Sequence, residues 1–116
     1  MKAITVYGPY DARMENVPKP EATGDMLVIK VKRTGVCATD YSIFTGESSF
    51  IRSGEIKFPC RFGHEYSGIV EAVGPDVKDF RPGDRVYTEN FVSCGVCEAC
   101  RRGDYMGCSK ILSVGT

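Results

Sequence analysis

Apolar and polar positions alternate most clearly between Leu27 and Arg33, with Leu27, Ile29 and Val31 on one face and Val28, Lys30 and Lys32 on the other. A period of two sends successive side chains to opposite faces, so this segment predicts a half-buried antiparallel strand. Residues 2–7 are β-branched enough for a short strand, and residues 68–73 form a second apolar run ended by Gly74-Pro75 and the turn-prone Asp76. Arg81-Pro82-Gly83-Asp84 predicts a turn into a strand at Arg85-Val86-Tyr87, and Val17-Pro18-Lys19-Pro20 cannot be helical throughout. Residues 39–44 fit one helical turn capped by the Thr39 hydroxyl. The run from Gly46 to Pro59 lacks a stable period and reads as a surface loop crossing the mouth of a site. Short strands at this spacing, without a helical period of a dozen residues, predict a mainly β fold, a small barrel or sandwich.

Composition narrows the function more than the fold. The chain has 116 residues, 42% of them hydrophobic, with 15 basic and 15 acidic side chains. That length suits one compact domain or part of one. A net charge of zero gives no electrostatic ground for a nucleic acid or an anionic membrane as partner. The opening MKAITVYG lacks the apolar run of a signal peptide or membrane span, and with free thiols expected a cytoplasmic setting follows. The closing SKILSVGT follows a cysteine cluster without a polar tail, which reads as a cut chain.

That cluster is the densest chemistry in the sequence. Cys94, Cys97, Cys100 and Cys108 follow C-x2-C-x2-C-x7-C, the spacing of a closed structural zinc site in a lobe at about residues 90–110. Gly95, Gly103 and Gly107 supply turn freedom between the ligands. The rivals are a disulfide pair and an iron–sulfur site, and the bacterial ferredoxin run would place its fourth cysteine after three residues, followed by Pro. Elsewhere, Cys37-Ala38-Thr39-Asp40 follows one strand and Gly63-His64-Glu65 precedes another. A lone His is usually a hydrogen-bonded structural residue, and Cys37 or Cys60 alone a small buried hydrophobe. Asp40 alone would be a loop or helix-turn cap.

Taken together, GVCATD, GHEYSGIVEAVG, FRPGDRV and CGVCEAC resemble, in order and spacing, the N-terminal catalytic domain of the zinc-containing medium-chain alcohol and polyol dehydrogenases. The resemblance spans essentially residues 1–116. It implies an irregular GroES-like β-barrel with a zinc-binding lobe, truncated before a Rossmann domain that would hold NAD or NADP. It implies that Cys37 and His64 are ligands of a catalytic zinc whose third fixed ligand lies downstream. Glu65 would be the adjacent acid able to coordinate transiently, and Asp40 the carboxylate orienting the histidine. Thr39 would be the hydroxyl that bonds the substrate oxygen and offers a short path for its leaving proton.

Two positions depart from the simple alcohol branch. Ala38 stands where some members carry an Arg for the cofactor pyrophosphate, and Ser42 where many carry a relay histidine, so the resemblance points to the polyol, sugar and threonine dehydrogenases. Tyr41, Phe44, Glu47, Ser48, Ser49, Phe50 and Arg52 would line a site for a polyhydroxylated substrate, their alternative being a solvated loop. The implied full-length protein is a homo-oligomeric enzyme oxidising a secondary alcohol, and the fragment alone would be inactive. Two alternatives stand beside it: a GroES-like binding module that keeps only the structural zinc, and an NADPH-dependent carbonyl reductase of the same family.

Overall fold

The computed structural model describes residues 1–61 and 63–114, so the chain end, Gly115-Thr116, lies outside it. Strands β1 (Lys2–Gly8) and β2 (Asp11–Asn16) form an antiparallel hairpin. Strand β3 (Leu27–Thr34) pairs with β4 (Tyr66–Val73), which pairs in turn with β5 (Arg85–Tyr87). Helices α1 (Ala38–Thr45) and α2 (Ser49–Arg52) fill the connection from β3 to β4. Two-residue strands β6 (Phe91–Val92) and β7 (Leu112–Ser113) bracket helix α3 (Glu98–Arg101). Among the described residues no helix is long and apolar enough to cross a membrane.

The fold is mainly β, but the expected barrel is not formed. Among the described residues the sheets have two, three and two strands, and none closes on itself. Closure requires every strand to be bonded on both sides. Among the described residues β3 and β5 each pair only with β4, and β1 reaches the rest through one isolated bridge between Val6 and Cys60. Cys60 is half-buried there, and desolvation pushes its thiol pKa up.

The small core holds Val6, Val28, Ile43 and Val70. Val28 is buried although simple alternation puts it opposite Leu27 and Ile29, and Val31 is 51% exposed. Register shifts between Val28 and Ile29 and between Val31 and Arg33 break the period of two, so one face cannot be read straight along the strand. At Gly68 in β4 a Cβ would stand 2.5 Å from the Lys30 carbonyl oxygen, so the close approach of β3 to β4 requires glycine.

Helix α1 is longer than the predicted turn, and its cap is Cys37 rather than Thr39. The Cys37 thiol accepts the Thr39 N–H at 3.3 Å, while Asp40 Oδ2 accepts the Cys37 N–H at 3.0 Å. This is a reciprocal capping box with sulfur in the place of a hydroxyl. The helix stops at Gly46, whose left-handed φ of 82° suits a residue without a Cβ. The predicted loop after it contains α2, capped by the buried Ser48.

Candidate metal centre and substrate cleft

The capping box fixes Cys37 at the end of β3, and the start of β4 brings His64 to it across 27 residues. Cys37 Sγ and His64 Nε2 lie 3.3 Å apart. The other ring nitrogen, Nδ1, faces Asp40 Oδ1 at 3.6 Å, with the carboxylate only 1% exposed and His64 7%. Among the described residues neither of these two buried atoms has a hydrogen-bond partner. They therefore complete each other once the imidazole carries its proton on Nδ1, which leaves the Nε2 lone pair turned toward the thiol. Thr88 holds the backbone here: its hydroxyl donates to the His64 carbonyl at 3.0 Å and accepts the Tyr66 N–H at 3.3 Å.

Among the described residues, Cys37, Asp40 and His64 form one of two groups whose donor atoms all lie within 4.8 Å of one another. A thiolate and an imidazole nitrogen on one tetrahedral zinc stand about 3.5 Å apart, given bond lengths of about 2.3 and 2.0 Å. The observed separation fits such an ion, with Asp40 behind the ring. Glu65 is not part of this group. Its side chain lies over Gly35, where a Cβ would come within 2.5 Å of Glu65 Oε2.

The four-cysteine lobe is the second group. Thiolates on one zinc stand about 3.8 Å apart. Cys97 and Cys100 Sγ are 3.4 Å apart and Cys94 and Cys100 Sγ 4.0 Å, which brackets that spacing. The N–H groups of Cys94 and Lys110 both donate to Cys108 Sγ at 3.3 Å. All six cysteines are free. Backbone N–H groups of Cys100 and Ser109 hold the Cys97 thiol down to about 6, whereas burial, followed by its hydrogen bond with Cys97, pushes Cys100 up to about 11.

Cys37, Thr39, His64 and Glu65 line one cleft of about 210 Å³. Its walls also carry Phe50 from α2, Asn90 and Phe91 beside β6, and Ser113 from β7. Of the residues expected as lining from the 41–59 run, only Phe50 reaches the cleft. Tyr41 is 64% exposed and Phe44 packs edge-on against Tyr10. Ser42 is committed to donating to the Thr39 carbonyl at 2.8 Å. Thr88, Asn90, Phe91 and Ser113 escaped the sequence reading: Thr88 and Asn90 lie outside any strand, and the two-residue strands that carry Phe91 and Ser113 have no period. The one available signal was that Asn90 and Phe91 directly precede the cysteine cluster.

Residues 23–116 match the family model described as "Alcohol dehydrogenase GroES-like domain". The chain is 35% identical over its whole length to a sorbitol dehydrogenase of Bacillus subtilis (strain 168), and 37% identical over 99% of its length to an L-threonine 3-dehydrogenase of Cronobacter sakazakii. It covers 32% and 33% of those proteins, about a third of their length. It also superposes on the crystal structure of galactitol-1-phosphate dehydrogenase from Escherichia coli with a TM-score of 0.85 at 29% identity, covering 100% of this chain and 32% of that one. With four fifths of its residues inside the family model and both metal-fitting groups formed, this chain belongs to the zinc-binding medium-chain dehydrogenase family, through its alcohol dehydrogenase GroES-like domain.

Proposed function

We propose that the chain is the alcohol-binding, metal-holding part of an oxidoreductase that transfers hydride between a secondary alcohol and NAD or NADP, with a polyol, sugar or amino alcohol as substrate. The observation that carries this reading is the 3.3 Å approach of Cys37 Sγ to His64 Nε2, backed by Asp40 and opening on the same cleft as Thr39. A binding module that keeps only the structural metal has no use for that arrangement. Similarity to proteins named for sorbitol and L-threonine supports the substrate class.

A zinc ion held by Cys37 and His64 would supply Lewis-acid polarisation of the alcohol oxygen, and the nicotinamide would accept the hydride. The chain's own residues do the rest. The Asp40 carboxylate, 3.6 Å from Nδ1, orients the ring so that Nε2 faces the thiol. The Thr39 hydroxyl, in the same cleft, relays the substrate hydroxyl proton toward solvent, giving up its own O–H proton as it receives the substrate's, while the C–H bond breaks. Phe50 and Phe91 limit water at the reacting carbon, and Asn90 and Ser113 offer amide and hydroxyl groups to neighbouring substrate hydroxyls. The four-cysteine group serves as a structural zinc site that stiffens the β6–β7 lobe forming this wall.

The test is NAD- or NADP-dependent oxidation of a panel of polyols and L-threonine by a protein of the relatives' length that contains this sequence. Activity that Cys37→Ser abolishes supports the reading. Undiminished activity in Cys37→Ser and His64→Ala variants would refute it. The 116 residues alone are expected to be inactive, because hydride transfer needs the nicotinamide held opposite the alcohol.

A further inference from the structure

We propose that Tyr10, at the tip of the β1–β2 hairpin, is a positioning residue for the Cys37–His64 pair: it clamps the last turn of the helix whose other end carries Cys37 and Asp40. This rests on the reading of that pair as a metal site. Among the described residues Tyr10 is the one non-glycine with a positive φ, 63°, in the left-handed region that a side chain disfavours. Such a residue persists only where its surroundings over-determine it. The end of α1 does so. The Tyr10 N–H donates to the Phe44 carbonyl at 2.8 Å, and the two rings meet edge-on with centroids 5.4 Å apart and planes at 75°. Next to them Pro9 lies against Gly46, where a Cβ would stand 2.7 Å from Pro9 Cγ. Tyr10 itself remains 68% exposed, so these contacts fix a direction more than they fill a core.

The clamp reaches the site through a short helix. Wholly buried Ile43 seats α1 in the core, and the hairpin tip adds a second hold at its far end. Without that hold, a turn of about 10° about Ile43 would carry Cys37, roughly 9 Å along the helix, through about 1.6 Å. A metal pair needs its donors held within about 0.5 Å. The same hairpin also grips the segment that leads to His64. Val6, wholly buried in β1, donates its N–H to the Cys60 carbonyl at 2.8 Å and accepts the Cys60 N–H at 2.9 Å. Cys60 stands four residues before His64. Residues 6–10 thus touch both parts of the chain that bring the pair together, although Cys37 and His64 are 27 residues apart.

Cobalt(II) binding to the chain preloaded with one equivalent of zinc tests this, read through the thiolate-to-cobalt absorption that Cys37→Ser removes. Tyr10→Phe keeps the backbone contact and the ring, and should bind cobalt as wild type does. Tyr10→Asn suits the left-handed backbone but has no ring for Phe44. Its unfolding midpoint should stay near that of wild type, while cobalt binding weakens on the order of tenfold and the d–d bands shift. Tyr10→Gly should behave as Tyr10→Asn, which keeps the comparison available where one of the two fails to fold. Zinc affinity at the four-cysteine group, measured by chelator competition, should be the same in all of them. Cobalt midpoints and bands equal to wild type in the Asn and Gly variants would overturn the clamp alone. So would a loss shared by the four-cysteine group or matched by a lowered unfolding midpoint, since that is general destabilisation. Absence of any Cys37-dependent absorption would overturn the metal reading, and the clamp with it.

Discussion

Cys37 caps helix α1 with the same sulfur that faces His64 Nε2 at 3.3 Å. One atom thus fixes the start of the helix and one side of the candidate metal site. Asp40 has the same double duty, because its Oδ2 accepts the Cys37 N–H and its Oδ1 faces His64 Nδ1. Local helix chemistry therefore sets the geometry of the site before any ion binds.

Asp40→Asn retains an oxygen for the Cys37 N–H but removes the negative charge behind the imidazole. We expect zinc or cobalt affinity at the Cys37–His64 site to fall by about 10–100-fold, with the four-cysteine site unaffected. Competition with a chromophoric chelator measures both sites. Asp40→Ala should also destabilise the domain by about 1–3 kcal/mol, because the Cys37 N–H loses its acceptor and His64 Nδ1 the carboxylate that faces it.

The lobe should show graded thiol reactivity when stripped of metal. The Cys97 pKa, held down to about 6 by backbone N–H groups, leaves that sulfur mostly thiolate at neutral pH, while Cys100, raised to about 11 by burial, stays a thiol. Pulse alkylation at pH 7 followed by peptide mapping should modify Cys97 first and Cys100 last. Lowering the pH through 6 protonates Cys97 and should erase its advantage. Zinc binding should protect all four cysteines.

Gly68→Ala tests how the central sheet is held. The added Cβ would meet backbone at Lys30 and the Ile29 side chain at 2.7 Å, neither of which can swing aside like a chain end. Strand β3 must move away from β4, at a cost of about 1–3 kcal/mol. Denaturant unfolding should show a lower midpoint with little change in slope.

Much of this site was legible in the sequence, and the reasons differ by residue. Cys94, Cys97, Cys100 and Cys108 are close along the chain, so spacing alone brings their sulfurs together. Cys37 and His64 are 27 residues apart, and only the resemblance paired them before β3 and β4 did so in space. Val28 was misplaced because a register shift is invisible to a periodicity count, and the helix cap was misplaced because sulfur is an uncommon cap. The barrel expectation failed on pairing between distant strands, which no local pattern records. Thr88 and Tyr10 act through backbone contacts with His64 and Phe44, and such contacts leave no signature in residue type.

Thr39→Val should separate proton handling from metal binding in a protein of the relatives' length. The substitution keeps the side chain's shape and deletes the hydroxyl at the cleft. Turnover should drop by about 10²–10⁴-fold at unchanged metal content. Ser42→Ala should matter far less, since the Ser42 hydroxyl is spent on the Thr39 carbonyl. Equal turnover in wild type and Thr39→Val, under conditions where chemistry limits the rate, would remove Thr39 from the mechanism.

The most direct test of the whole account is anomalous diffraction at the zinc edge from crystals of the chain grown with excess zinc. The account predicts two peaks: a strong one inside the Cys94, Cys97, Cys100 and Cys108 tetrahedron, and a weaker one in contact with both Cys37 Sγ and His64 Nε2. A lobe peak alone at saturating zinc, with the Cys37 and His64 side chains turned apart, would contradict it.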